Sequence, residues 1–243
     1  MKKIILILAV SISILSCKKN NSSALSTYKY ADKPQTLACS TIDSKLFTEA
    51  YYAFENAILI HGANTNRRPG SVINTDFAFR NFTARAQNNL RIQDYITEET
   101  AAVFKVLKAQ DIWDGNHLNY NSDIVKCIAN SISNTEIKQT FKTLQSVNSL
   151  DPKLMAAAIY GNTKARDKFK DKALMTYVAL DIFYAKMQNV DMSTVKFITK
   201  QDKPAVAPVT KRRPIAKKPI IGQEIKLDTK KAVKHGPNDG HNH

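Results

Sequence analysis

The sequence has little of what most catalytic and cofactor motifs are built from. Of 243 residues only five are histidine, and three of those fall in the last nine positions, so a catalytic triad has few possible members. No Gly-rich phosphate loop, no Gly-x-Ser-x-Gly and no Cys-x-x-Cys occurs. No apolar run reaches the roughly 20 residues that a helix needs to cross about 30 Å of hydrocarbon. Between residues 42 and 192 no stretch alternates apolar and polar residues as a half-buried strand would, and the last 43 residues contain no aromatic side chain. These gaps leave the case for an enzyme thin, and no cofactor or metal is assigned.

What is present is an apolar content of 43%, enough to bury a core, and a net charge of +15. The charge is clustered. Residues 1–41 carry +5, residues 42–200 only +4 over a far longer span, and residues 201–243 carry +6. Partners with anionic surfaces are therefore expected at the two ends.

The first end has a definite order. Lys2 and Lys3 form a positive start, residues 4–15 are apolar apart from Ser11 and Ser13, and Ile14-Leu15-Ser16-Cys17 is followed at once by Lys18-Lys19-Asn20-Asn21-Ser22-Ser23. Twelve residues suit a cleaved export signal rather than a permanent anchor. The segment resembles the leader of bacterial lipoproteins over residues 1–23, with Ile14, Leu15 and Ser16 as the box before the cysteine. The resemblance implies cleavage between Ser16 and Cys17 and acyl chains on Cys17. One chain binds a bilayer only marginally, whereas two or three hold it stably. It further implies, through Lys18 in place of an acidic residue, the outer membrane of a Gram-negative cell. It says nothing about the remainder.

Cys39 and Cys127 are then left, an even pair in an oxidising compartment. A bridge closes a loop of about 89 residues, which the chain-entropy model values at roughly 4 to 5 kcal/mol. The other reading leaves two thiols, with Cys127 as a small buried hydrophobe beside Ile124 and Ile128.

Residues 17–41 show no sustained period and contain Pro34, so they read as the lipidated cysteine and a flexible linker. Residues 42–200 read as an all-α domain, an irregular bundle of about six to seven helices. A first helix with Leu46, Ala50, Phe54, Ala57 and Ile58 ends at Gly62. A second follows Thr75 with Phe79, Phe82, Ala86 and Leu90 on one face. A third starts after Thr97 and ends near Asp111. Ser122 and Asn134 cap a fourth and a fifth, and Asp151-Pro152 opens a sixth that closes at Gly161. The seventh is predicted over residues 164–188, its charged first half in water and its second half, 173–185, apolar on nearly every face.

Within the domain, Asp181 shares a helical stripe with Leu174, Tyr177, Val178, Tyr184 and Ala185, and Glu55 stands among Tyr51, Tyr52, Ile58 and Leu59. Both are candidates for a buried polar site. Di-metal bundles need Glu-x-x-His pairs, which this sequence lacks, so hydrogen bonding to core tyrosine hydroxyls or to an arginine of the second helix is the expected role. Asp111, Asp114 and His117 beside Trp113 offer carboxylate and imidazole, but the spacing crosses Gly115 and fits no calcium loop. His61, at the end of an apolar helix, is expected to cap it.

From residue 201 the composition shifts to a Pro/Lys-rich tail, expected to be disordered, with Pro204, Pro208, Pro214, Pro219 and Pro237 and ten basic residues. Such a segment favours extended, hydrated backbone. Lys211, Arg212, Arg213, Lys217 and Lys218 suit anionic headgroups or envelope polymers. Nucleic acid is excluded as a partner by export and by the lack of any ring for bases to stack on. The terminal His235, His241 and His243 suit only adventitious metal binding. The sequence thus points to a membrane-anchored envelope lipoprotein that contacts envelope components or other envelope proteins, with a helical enzyme or ligand-binding protein as the alternative.

Overall fold

The computed structural model describes residues 25–65, 72–88, 90–161 and 167–201. These form an all-α domain around one core, with a single two-stranded hairpin.

Helix α1, Ser44–Thr65, starts where Asp43 Oδ1 accepts from the amides of Lys45 and Leu46, each at 3.1 Å. It buries Leu46, Ala50, Phe54, Ala57 and Ile58 and continues past Gly62, the expected stop. Gly62 serves close packing instead: a Cβ there would stand 3.0 Å from Cγ2 of Ile73. Helix α2, Thr75–Ala86, is capped by Asn74, whose side chain accepts from the Phe77 amide at 2.8 Å. It sends Phe79 and Phe82 against Phe54, with ring centroids 5.7 and 4.8 Å apart in edge-to-face geometry.

Helix α3, Glu98–Leu107, opens on a reciprocal box between Thr97 and Thr100. It stops short of Asp111 because the chain turns into the hairpin of β1, Trp113–Asp114, and β2, His117–Leu118. Gly115, at φ +59°, takes the left-handed position at that turn. Two-residue strands are too short to show an alternating pattern, which is why periodicity did not expose them. Helices α4 (Asp123–Ser131), α5 (Thr135–Ser146) and α6 (Pro152–Gly161) follow their expected bounds.

The last helix departs from expectation at its start. Residues 162–166 lie outside the described set, Lys168–Lys170 is a 3-10 turn, and α7 begins only at Lys172. Asp171 is the reason. Its Oδ1 accepts from the Leu174 amide at 3.1 Å, and its Oδ2 accepts from the Ser133 amide at 2.6 Å. The carboxylate thus caps α7 and binds it to the α4–α5 connection, and Asp171 and Lys168 are buried rather than in water. Helix α7 runs as Lys172–Tyr177, then as a π-helix over Val178–Tyr184, and closes as Ala185–Met187. Every residue from 173 to 185 is buried, so this helix is the centre of the core.

Residues 25–41 are not a free linker. Leu37 is buried, Leu25, Tyr28, Tyr30 and Cys39 pack on the core, and Glu49 of α1 accepts from the amides of Lys29 and Tyr30 at 2.9 Å each. Tyr30 also donates to Glu99, which pairs with Lys29 at 3.1 Å. The folded unit therefore includes residues 25–41, and the boundary expected at 41/42 does not hold. No period marked this arm because its backbone is satisfied by side chains of α1 rather than by a helix or a sheet.

A disulfide joins Cys39 of the arm to Cys127 of α4, with Cα atoms 6.1 Å apart. At the other end, residues 195–201 have no regular structure but are tied to the domain. The Ile198 amide donates to the Ile96 carbonyl, and Asn64 both donates to Thr199 and accepts from Gln201. Replacing both cysteines by serine is expected to lower unfolding stability by about 3 to 5 kcal/mol, since the sequence separation is 88 residues. Denaturant titration of the two forms measures this, and coincident midpoints would show that the bridge adds nothing.

Candidate functional site

The sequence-selected residues do not converge on one place. Ser16, Cys17, Lys211, Arg212, Arg213, Lys217, Lys218 and the terminal histidines lie outside the described residues. Asp111 and Asp114 are exposed, and Trp113 donates its indole N–H to the Leu107 carbonyl at 2.8 Å. Among the described residues no three His, Cys, Asp or Glu side chains are grouped to hold a metal ion.

Asp181 is 1% exposed and sits in the π-helical turns of α7. Its Oδ1 accepts from the Leu118 amide at 2.7 Å, and its Oδ2 accepts from the Tyr120 hydroxyl at 3.0 Å. The buried Tyr177 hydroxyl lies near the carboxylate but outside good hydrogen-bond geometry, so its effect is electrostatic. Burial pushes the Asp181 carboxyl above the ordinary carboxylate range, while Leu118, the tyrosines and the charge of His117 pull it partly back. His117 stacks on Tyr120 at 5.2 Å and turns its Nδ1 to the Leu118 carbonyl at 2.8 Å. The acid thus clamps the hairpin and its following turn onto α7. Its partners are all used within the fold, which is a bracing role.

Glu55 has separate partners. Its Oε1 accepts from Tyr51 at 2.9 Å, and burial raises its carboxyl against the Tyr51 hydrogen bond and the charges of Lys172 and Lys33. Lys172 donates to the Tyr52 hydroxyl at 2.8 Å, and Tyr52 in turn donates to the Pro34 carbonyl. Glu55, half-buried, and Asp181, buried, are therefore two independent acids, each accepting from a tyrosine hydroxyl. The more consequential acids, Glu49 and Glu99, were not singled out from sequence. Glu49 could have been, because it falls on the α1 face shared by Leu46 and Ala53.

A polar concavity lies elsewhere, between α1, α2 and the Ile92–Tyr95 turn. It encloses about 170 Å³ and is lined by Ile58, His61, Thr65, Asn81, Phe82, Arg85 and Tyr95 among others. His61 does not cap α1. The helix extends to Thr65, whose hydroxyl bonds the His61 carbonyl, while the imidazole stacks on Tyr95 at 4.0 Å and pairs through Nδ1 with the Asp94 carbonyl at 2.9 Å. Sequence reasoning missed Arg85 and Asn81, which read as part of an ordinary polar face of α2. A second, smaller concavity of about 60 Å³ lies under the arm, between Tyr28, Tyr30, Lys33, Lys45 and Glu49.

No family model matches this chain, and neither do curated proteins or solved structures.

If Asp181 is a brace, Asp181→Asn keeps both contacts, with the amide oxygen accepting from Leu118 and the amide nitrogen facing Tyr120. Asp181→Leu orphans two buried donors and is expected to cost about 2 to 4 kcal/mol. The pH dependence has a definite sign. An acid raised in the folded state favours folding below its unfolded value and loses that contribution as pH rises through the folded value. Asp181→Asn should therefore gain stability relative to the parent between about pH 4 and pH 7. Denaturant midpoints across that range check this, and a difference that stays flat or reverses would contradict it.

Proposed function

We propose that this chain is an exported lipoprotein, anchored through acyl groups on Cys17 in the outer membrane of a Gram-negative cell. Its helical domain serves as an interaction module, and its basic tail contacts an anionic envelope component. The order of charge, apolar run, Ile14-Leu15-Ser16 and Cys17 carries this reading. The disulfide between Cys39 and Cys127 supports export, since such bonds persist in oxidising compartments and are rare in the cytosol. Among the described residues no helix is long and apolar enough to cross a membrane.

The docked arm adds a geometric consequence. Only residues 18–24 separate Cys17 from Leu25, and seven residues span at most about 25 Å when fully extended. A lipid on Cys17 would hold the domain against the bilayer. The tail, starting next to Asn64 at the far end of α1, would leave from a second point and offer ten basic residues to headgroups or polymers. The polar concavity around His61 favours a second reading, in which the domain also holds a small ligand.

Metabolic labelling with a radioactive or clickable palmitate tests the anchor. Label is expected on the mature chain, with Cys17→Ser losing it and leaving the membrane pellet. Label that persists in the serine variant, or an unlabelled soluble parent, would contradict the proposal.

A further inference from the structure

The concavity beside α1 is built around an imidazole with one nitrogen engaged and one unengaged. Nδ1 of His61 lies 2.9 Å from the Asp94 carbonyl, and a carbonyl can only accept, so Nδ1 carries the proton. In the neutral ring Nε2 is then a lone pair. It is buried and has no hydrogen-bond partner. Burial and the neighbouring Arg85 charge hold this histidine below its usual range, so the neutral ring is the form present at pH 7. A buried acceptor without a donor is destabilising, which a donor arriving from outside would relieve.

Arg85 lines the same concavity from α2 and has no ion-pair partner among the described residues. Its charge is felt by both rings at the site, since it also draws down the Tyr95 phenol, which burial has pushed up to about 12. Ile58, Phe82 and the Tyr95 ring supply apolar wall, and Phe77 stands at the rim, 47% exposed despite its size. Asn81 adds a group that both donates and accepts.

We propose that this concavity binds a small organic carboxylate with an apolar body and a hydroxyl or amide N–H. The carboxylate meets Arg85, the ligand's donor meets Nε2 of His61, and the apolar body lies along Ile58, Phe77 and Phe82. One cation beside a neutral ring matches a single negative charge, which selects a carboxylate over a phosphate dianion. The site is independent of how the chain is anchored, because none of its residues belongs to the leader or the tail.

Calorimetric titration of the full-length chain tests this with 2-hydroxy-4-methylpentanoate and N-acetylleucine as probes. The comparison compounds are 4-methylpentanoate, which lacks the donor, and 2-hydroxy-4-methylpentanamide, which lacks the charge. At least one probe should saturate below about 10 mM, and removal of either the donor or the charge should weaken binding about tenfold. Arg85→Met, at an exposed position, should weaken the probe by about tenfold or more without changing the melting temperature of the free protein. The His61 Nε2 nitrogen resonance should shift on binding in the parent chain, which needs no substitution in the half-buried ring. Failure of both probes to saturate would overturn the proposal. So would equal binding of probe and comparison compounds, undiminished binding to Arg85→Met, or an unmoved Nε2 resonance at saturation.

Discussion

The structure depends on the arm being part of the domain. Residues 25–43 have almost no regular structure, yet they are fixed twice: by the covalent bond from Cys39 to Cys127, and by the Glu49 carboxylate receiving the Lys29 and Tyr30 amides. The two restraints act differently. The disulfide limits the unfolded chain, whatever the arm does locally. The carboxylate satisfies two backbone donors that would otherwise be desolvated as the arm covers α1. Together they bring Leu37 and the Tyr30–Tyr52 pair over the start of α1, so that helix is buried on faces that would otherwise meet water.

Around that frame the core is assembled from acids as much as from hydrocarbon. Asp171 ties the start of α7 to the α4–α5 connection, Asp181 ties its middle to the hairpin, and Glu49 and Glu99 tie the arm to α1 and α3. Asp171 and Glu49 accept from backbone amides and Asp181 from an amide and the Tyr120 hydroxyl, which is how a carboxylate survives in the interior, while the half-buried Glu99 is held by Tyr30, Asn56 and Lys29. The π-helical winding of α7 around Asp181 fits this picture, since the carboxylate there faces the Leu118 amide directly. Asp181 in the middle of the most buried helix is therefore a structural clamp.

Helix content, the bounds of α4, α5 and α6 and the burial of residues 173–185 were legible from apolar spacing and from capping residues such as Asn134 and Asp151. The tyrosine partner of Glu55, Tyr51 on its own stripe, was also anticipated, whereas Asp181 is held by the Leu118 amide and Tyr120, neither of which shares its stripe. The arm was not legible. Its order comes from contacts about 20 residues away in sequence, which no local period reports. The ends of helices misled in two places, and in both a tertiary contact outweighed the local signal: Ile73 packing on Gly62, and the buried Asp171 starting α7 late. The His61 concavity was hidden because its polar groups come from three elements, and an arginine and an asparagine on α2 look like any solvated face until the Ile92–Tyr95 turn brings Tyr95 beside them.

An ordered arm changes what an acylated Cys17 would mean, because the proposed lipid would then act through a short tether rather than a long one. The most direct measurement is amide hydrogen exchange at Lys29 and Tyr30 in the intact, oxidised chain. The account predicts protection comparable to that of α1, reduced by Glu49→Gln while the α7 amides stay protected. Exchange at unstructured-chain rates at both positions, with the disulfide intact, would contradict it and return residues 25–41 to a free linker.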